Sequence, residues 1–151
     1  MYGVAMKRYE IRSAQTELNF YSYVGDERVA RVEIVIHADH LELADIVATI
    51  RGAGHGTDIL EFAESYCTRY NLPIVGEMSE ADDWDYNYHF YTRNGYQFYS
   101  GDNGSGNGSK NNLKPTSMKR GNKLKWTGRF YVRKEKDLLR THAHTKQLVK
   151  N

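Results

Sequence analysis

Cysteine is nearly absent from this chain of 151 residues, with Cys67 alone. A single thiol excludes an internal disulfide and suits a reducing compartment, so the fold rests on its core. No apolar run approaches the ~18 residues a membrane span needs. The first residues, Met1 to Arg8, lack a long apolar stretch and the architecture of a signal peptide. Together these absences lead us to expect a cytoplasmic protein. There is no internal repeat and no second composition block, so one domain over 1–151 is expected. Cys67 falls in an apolar helical stripe. That placement suits an inert core thiol, with a reactive thiol as the other reading.

Hydrophobic residues make up 40% of the chain, enough for a globular core. The formal charge of +2 conceals an asymmetry. Residues 1–100 hold 8 Lys+Arg against 16 Asp+Glu, a net −8, and residues 101–151 hold 13 against 3, a net +10. An acidic body with a basic C-terminal third points to an anionic partner for that third. Solubility, or contact with the acidic body, explains it as well.

Residues 16–24 and 28–37 are β-prone and are separated by a Gly25-Asp26 turn, and a third strand is expected over about 40–47. The three suggest an antiparallel meander. Residues 55–70 form the clearest helix, with Ile59, Phe62 or Ala63, Tyr66 and Tyr70 at helical spacing. Thr57 or Gly56 is the expected cap, and Asn71 and Pro73 end the helix. Leu72 to Gly76 reads as a short buried strand, parallel to the one before it across the helical crossover. Residues 80–94 are expected to be helical, although their aromatic alternation also allows a strand. Tyr96 to Tyr99 and 123–133 read as strands, 101–112 as a flexible Gly/Asn/Ser loop, and 135–149 as a basic helix.

The run Arg51-Gly52-Ala53-Gly54-His55-Gly56 sits between a strand and an amphipathic helix. Glycines there leave backbone N–H groups bare at the positive end of the helix dipole, a seat for phosphate. A tight turn without a ligand would use the same glycines. A Walker A loop needs a lysine after the glycines, whereas this chain has Gly56-Thr57-Asp58. A dinucleotide fingerprint needs different glycine spacing beside a first parallel strand.

The pattern Q/R-x-x-G-x-G/A before an amphipathic helix resembles the acetyl-CoA loop of the GNAT N-acetyltransferases, with Arg51, Gly54 and Gly56 in its positions. Leu43 to Val47 resembles that family's fourth strand. Downstream, Phe90-Tyr91-Thr92-Arg93-Asn94-Gly95-Tyr96 resembles its Leu/Phe-Tyr-x-x-x-Gly-Phe/Tyr signature. The two signatures stand in the family's order, and the resemblance covers about residues 16–100. It implies an α/β fold with a mixed, mostly antiparallel sheet flanked by helices. The usual pair of N-terminal helices has no room and should be reduced or absent, which leaves the acceptor site open or completed by a partner subunit.

The resemblance implies acetyl-CoA as cofactor. Its pyrophosphate would lie on the backbone of Arg51, Gly52, Ala53, Gly54, His55, Gly56 and Thr57, and its pantetheine arm along Ile46, Val47 and Ala48. It also makes Tyr91 the acid that protonates the departing thiolate, against the plainer reading that Tyr91 only packs. A base is expected on the fourth strand, where alternation puts His40, Glu42 and Ala44 on one face and Asp45 on the other. Glu42 is the first choice and His40 the second, each acting directly or through water. Glu42 as a paired surface carboxylate and His40 as a turn residue are the plainer readings. No metal ligands are assigned. Many family members carry an Asn seven positions and an Ala four positions before the Tyr, where this chain has Trp84 and Asn87.

The resemblance implies an N-acyltransferase acting by direct attack in a ternary complex on an amine of a macromolecule. Lysines and arginines from Lys110 to Lys134, interleaved with Trp126, Phe130 and Tyr131, resemble a nucleic-acid surface. Tyr91 to Gly101, followed by the basic tail, is faintly similar to the phage Mom-type DNA-modification enzymes. A protein or peptide amine is the other acceptor. A catalytically silent scaffold that acts through protein contacts is the alternative of a different class, and a homodimer is left open.

Overall fold

The computed structural model describes residues 6–78, 84–100, 114–115 and 130–134. The loop expected at 101–112, the basic helix at 135–149, residues 123–129 and the segment 79–83 lie outside the described residues. The described chain runs β1 (Lys7–Ala14), β2 (Glu17–Val24), β3 (Glu27–Ile36), β4 (Leu41–Ala48), α1 (His55–Cys67), a 3-10 turn (Thr68–Tyr70), β5 (Ile74–Met78), α2 (Trp84–Arg93), β6 (Gln97–Ser100), β7 (Lys114–Pro115) and β8 (Phe130–Lys134). The strands form one sheet of 8 in the order β1-β2-β3-β4-β5-β8-β6-β7. Among the described residues, only β4 and β5 pair in parallel; the other neighbours are antiparallel. This mixed, mostly antiparallel sheet matches the expectation, and a two-residue turn at Gln15-Thr16 stands where a helical pair has no room.

Strand β1 was not expected. Its burial is slight because it is an edge strand, so no apolar face marks it in the sequence. It is held instead by its ladder to β2 and by arginines laid on the tyrosines of that strand, with Arg8 4.2 Å from the Tyr23 ring and Arg12 4.7 Å from the Tyr21 ring.

One sheet face carries the core. Leu18 and Phe20 of β2, Ala30, Val32 and Ile34 of β3, and Leu41 and Leu43 of β4 meet Ile59, Leu60, Ala63 and Cys67 of α1. Full burial of each large aliphatic side chain contributes about 1.5–3 kcal/mol. Phe90 and Tyr91 of α2 join the same cluster. Burial pushes the Cys67 thiol up to about 12, which makes it an inert core group.

Helix α1 starts earlier than the Thr57 or Gly56 cap expected. Its N-cap is Gly54 in the left-handed region (φ 83). It closes through the 3-10 turn onto Asn71 (φ 56), whose N–H donates to Thr68 O, ahead of Pro73. A β-bulge between β3 and β4 overturns the simple alternation of β4. Glu33 pairs with Asp45 but Ile34 pairs with Leu43, so Ala44 is the extra residue. Asp45 therefore shares a face with Glu42, and Ile46 and Ala48 fall on the core face with Leu43. Among the described residues, no helix is long and apolar enough to cross a membrane.

Candidate functional site

The β4–β5 pairing is short: Leu41 with Ile74, Glu42 with Val75, Leu43 with Gly76. Beyond Leu43 the two strands part. Strand β4 continues along β3 as far as Ala48, while β5 continues along β8 as far as Met78. On its β5 side, the stretch from Ala44 to Ala48 therefore has no strand partner among the described residues. An extended amide chain has somewhere to pair there.

The glycine turn closes one end of this opening. Gly52 and Gly54 both hold positive φ (82 and 83), which L side chains rarely adopt. Gly54 offers no side chain to cap α1, and the first N–H groups of a helix have no intrahelical acceptor. Gly56 contributes in a different way. A Cβ there would stand 3.2 Å from Cε2 of Phe90, so glycine lets α1 approach α2. Asn94 binds the two helices at the same point, its Nδ2 donating to Thr57 Oγ1 (3.2 Å) and Phe90 O (2.7 Å).

Charge is arranged around the turn in part by Lys7 and Tyr9, which the sequence did not flag. Tyr9 donates to the Asp58 carboxylate at 2.8 Å, and Lys7 Nζ lies 2.9 Å from Asp58 and 3.4 Å from His55 Nδ1. Burial and the Asp58 carboxylate raise the Tyr9 phenol well above its ordinary value, so it stays a donor. Lys7 offsets Asp58 at the helix N-terminus and adds a cation beside the turn. The guanidinium of Arg51 sits 4.1 Å from the centre of the Tyr86 ring.

Two adjoining cavities result. One, of about 180 Å³, is lined by Ile46, Val47, Ala48, Arg51, Gly56, Tyr86, Asn87 and Phe90. The other, of about 420 Å³, runs past Ala48, Gly52, Gly54, Gly56, Thr57, Asp58, Tyr86, Phe90 and Arg93. They share Ala48, Gly56, Tyr86 and Phe90 and form one cleft from the open edge of β4 across the turn to α2. Of the residues expected to hold a cofactor, Ile46, Val47, Ala48, Arg51, Gly52, Gly54, Gly56 and Thr57 line this cleft. Ala53 and His55 belong to the turn but not to the walls. Asn87, at a departure from the family pattern, is a wall residue, and Tyr86 and Phe90 are the aromatic walls that spacing alone did not single out.

None of the expected catalytic residues lines the cleft. Tyr91 is buried and packs edge-on against Phe90 and Tyr96, with centroids 5.4 and 5.6 Å away. Glu42 Oε1 accepts from His37 Nε2 at 2.7 Å, and His40 Nδ1 meets Asp39 Oδ1 at 2.6 Å. Glu42 stands one position before the splay, on the sheet face opposite α1. On that face, a third cavity of about 300 Å³ is lined by Tyr21, Arg28, Arg31, Val47 and Thr49. Val47 borders both this cavity and the cleft.

No family model and no curated protein matches the sequence. Solved structures do match its fold. An N-acetyltransferase of Thermoplasma acidophilum in complex with coenzyme A superposes with a TM-score of 0.56 at 14% identity, over 80% of this chain and 61% of that one. The chain thus spans under two thirds of that relative. A Bacillus subtilis acetyltransferase in complex with CoA gives 0.59 at 9% identity, over 86% of this chain and 99% of that one. A GNAT-family acetyltransferase of Elizabethkingia anophelis with acetyl-CoA bound gives 0.59 at 9% identity, over 85% and 97%. At such identities the likeness establishes the fold, which is that of the GNAT acetyltransferases.

Proposed function

We propose that this chain binds acetyl-CoA in the cleft and transfers the acetyl group to an amine on a macromolecular acceptor, a nucleic acid or a protein. The observation that carries this reading is the parting of β4 from β5 beside a helix whose N-cap is a left-handed glycine. An open strand edge suits the amides of pantetheine, and unsatisfied N–H groups at a dipole's positive end suit a pyrophosphate. The structures with this fold that were solved with coenzyme A or acetyl-CoA point the same way.

In the mechanism we propose, the amine lone pair attacks the thioester carbonyl carbon directly. A backbone N–H of Ile46 or Ala48 orients the pantetheine and polarises the carbonyl oxygen as it becomes an oxyanion. The intermediate collapses by breaking the C–S bond, and Tyr91 supplies the proton to the thiolate. Glu42 or His40 takes the amine proton, directly or through water. The cavity beyond Val47 gives an acceptor a route from the sheet face opposite α1. The net +10 of residues 101–151 favours an anionic acceptor, nucleic acid before protein. Cofactor supply and the buried lone thiol suit a cytoplasmic setting.

Titration calorimetry of the full chain with acetyl-CoA tests the cofactor site. Micromolar binding that is lost in the Arg51→Glu/Gly54→Asp variant is expected; a folded wild type that does not bind overturns the site. Tyr91→Phe tests the acid, with an expected fall in kcat of about 10²–10⁴ and little change in acetyl-CoA affinity. Turnover retained across pH removes that role. A silent scaffold is the second reading, favoured by Tyr91 packing behind the wall residue Phe90 and not lining the cleft itself. A thiol-release assay separates the two, because a scaffold binds its partner and frees no coenzyme A.

A further inference from the structure

The register of the β3–β4 hairpin assembles a group outside the cleft. The His37 N–H donates to His40 O across the Ala38-Asp39 turn, and Val35 pairs with Glu42 two residues further along. Cross-strand pairs alternate faces, so His37, His40 and Glu42 emerge on the same side of the sheet. One donor atom from each lies within 4.8 Å of the other two. The imidazole rings stand 4.4 Å apart and nearly parallel.

A second observation is independent of that proximity. His40 is nine-tenths buried, and its Nε2 has no hydrogen-bond partner. A buried, unpaired ring nitrogen is unfavourable unless something fills its valence. Asp39, 2.6 Å from Nδ1, resolves which nitrogen is left over. With Nδ1 turned to the carboxylate, Nε2 is the ring nitrogen left to meet a ligand. A carboxylate behind a histidine whose other nitrogen is free is the arrangement that supports metal-bound imidazole.

We propose that His37, His40 and Glu42 form a binding site for a divalent transition metal of the zinc class, with Asp39 orienting His40. Two imidazoles and one carboxylate favour zinc or cobalt over magnesium or calcium, which prefer all-oxygen sets. Three protein ligands leave a coordination position for water. The Glu42–His37 contact becomes shared ligation: the metal displaces the proton now held between them. A metal on Glu42 and His40 would occupy the lone pairs that the base proposed above needs, so a loaded site and that base exclude each other, and loading is readable by metal binding alone, without the cofactor.

The test is titration of untagged full-length protein with Zn²⁺, with Co²⁺ absorption reporting the ligand set. About one Zn²⁺ per chain at micromolar or lower concentration is expected, with a Co²⁺ spectrum of low coordination number. His40→Asn should abolish binding. His37→Asn, at a half-exposed position, guards against a mere folding defect and should weaken binding at least tenfold with an unchanged circular dichroism spectrum. Asp39→Asn leaves all three ligands in place and should weaken binding about 10–100-fold. No binding by the folded wild type overturns the site. Wild-type affinity in both the His37 and His40 variants overturns it too, because the metal then sits elsewhere. Full affinity in Asp39→Asn removes the orienting role.

Discussion

The two faces of the sheet use the same chemistry to opposite ends. On the face under α1, Lys134 of β8 donates to Glu64 of α1 at 3.1 Å and to Asn94 O at 2.8 Å, while Tyr96 donates to the other Glu64 oxygen at 2.9 Å. The Lys134 and Glu64 side chains are 1% and 0% exposed. On the other face Arg31 lies between Asp45 at 2.5 Å and Glu33 at 3.9 Å, with side chains 29–45% exposed. In the first place water is excluded, and each charge depends on its partner. In the second, solvent and salt screen the pair. The buried group also joins three parts of the chain: α1, the turn after α2 and β8. It thereby fixes how α1 and α2 meet, which sets the width of the cleft at Gly56 and Phe90. The exposed pair stitches neighbouring strands that their ladder already holds.

The largest expected effect follows from breaking the buried pair. Lys134→Met should cost about 3–5 kcal/mol in urea unfolding, because Glu64 is left charged or forced to protonate in the core. Burial already holds the Glu64 carboxyl above the ordinary carboxylate range, outweighing Lys134. A raised value means that the folded state keeps its proton at a pH where the unfolded chain has lost it. This contribution is therefore fully present below the unfolded value and is lost as pH rises through the folded one. Lys134→Met should accordingly be less stable at about pH 8 than at about pH 5 relative to the wild type. Replacing both partners, Glu64→Leu with Lys134→Met, should recover most of the loss. A single-variant cost below about 1 kcal/mol would erase the contrast between the faces.

The same contrast explains what could be read in the sequence. The covered face repeats an apolar period, so β2, β3, β4 and α1 were legible from Leu18, Phe20, Val32, Ile34, Leu43, Ile59 and Ala63. The glycine turn was legible because Gly52 and Gly54 stand where positive φ is needed. Strand β1 was not legible, since it buries little and its support is arginine laid on tyrosine across the ladder. Spacing also does not announce a bulge, and the extra residue Ala44 turns Asp45 to the face that simple alternation denies it. Nor did it announce that Lys7 and Tyr9, about 50 residues from Asp58 in the chain, hold it at the mouth of the cleft. The hairpin set of His37, His40 and Glu42 needs the cross-strand register, because spacing alone does not show that His37 meets Glu42 across the turn.

The smallest expected effect tests the open face. Arg31→Ala removes both contacts to Asp45 and Glu33 and should cost about 0.2–1 kcal/mol, with the difference shrinking in about 1 M salt. The measurement is a pair of urea melts at low and high salt. Arg31 also lines the cavity beyond Val47, so the same variant says whether that face is wet. A cost within the expected range, screened by salt, means the arginine is solvated and an acceptor reaches Val47 without displacing packed chain. A cost of about 3 kcal/mol or more that salt does not reduce would mean the pair is desolvated. The face would then be covered in solution, and the acceptor would need a different approach to the thioester.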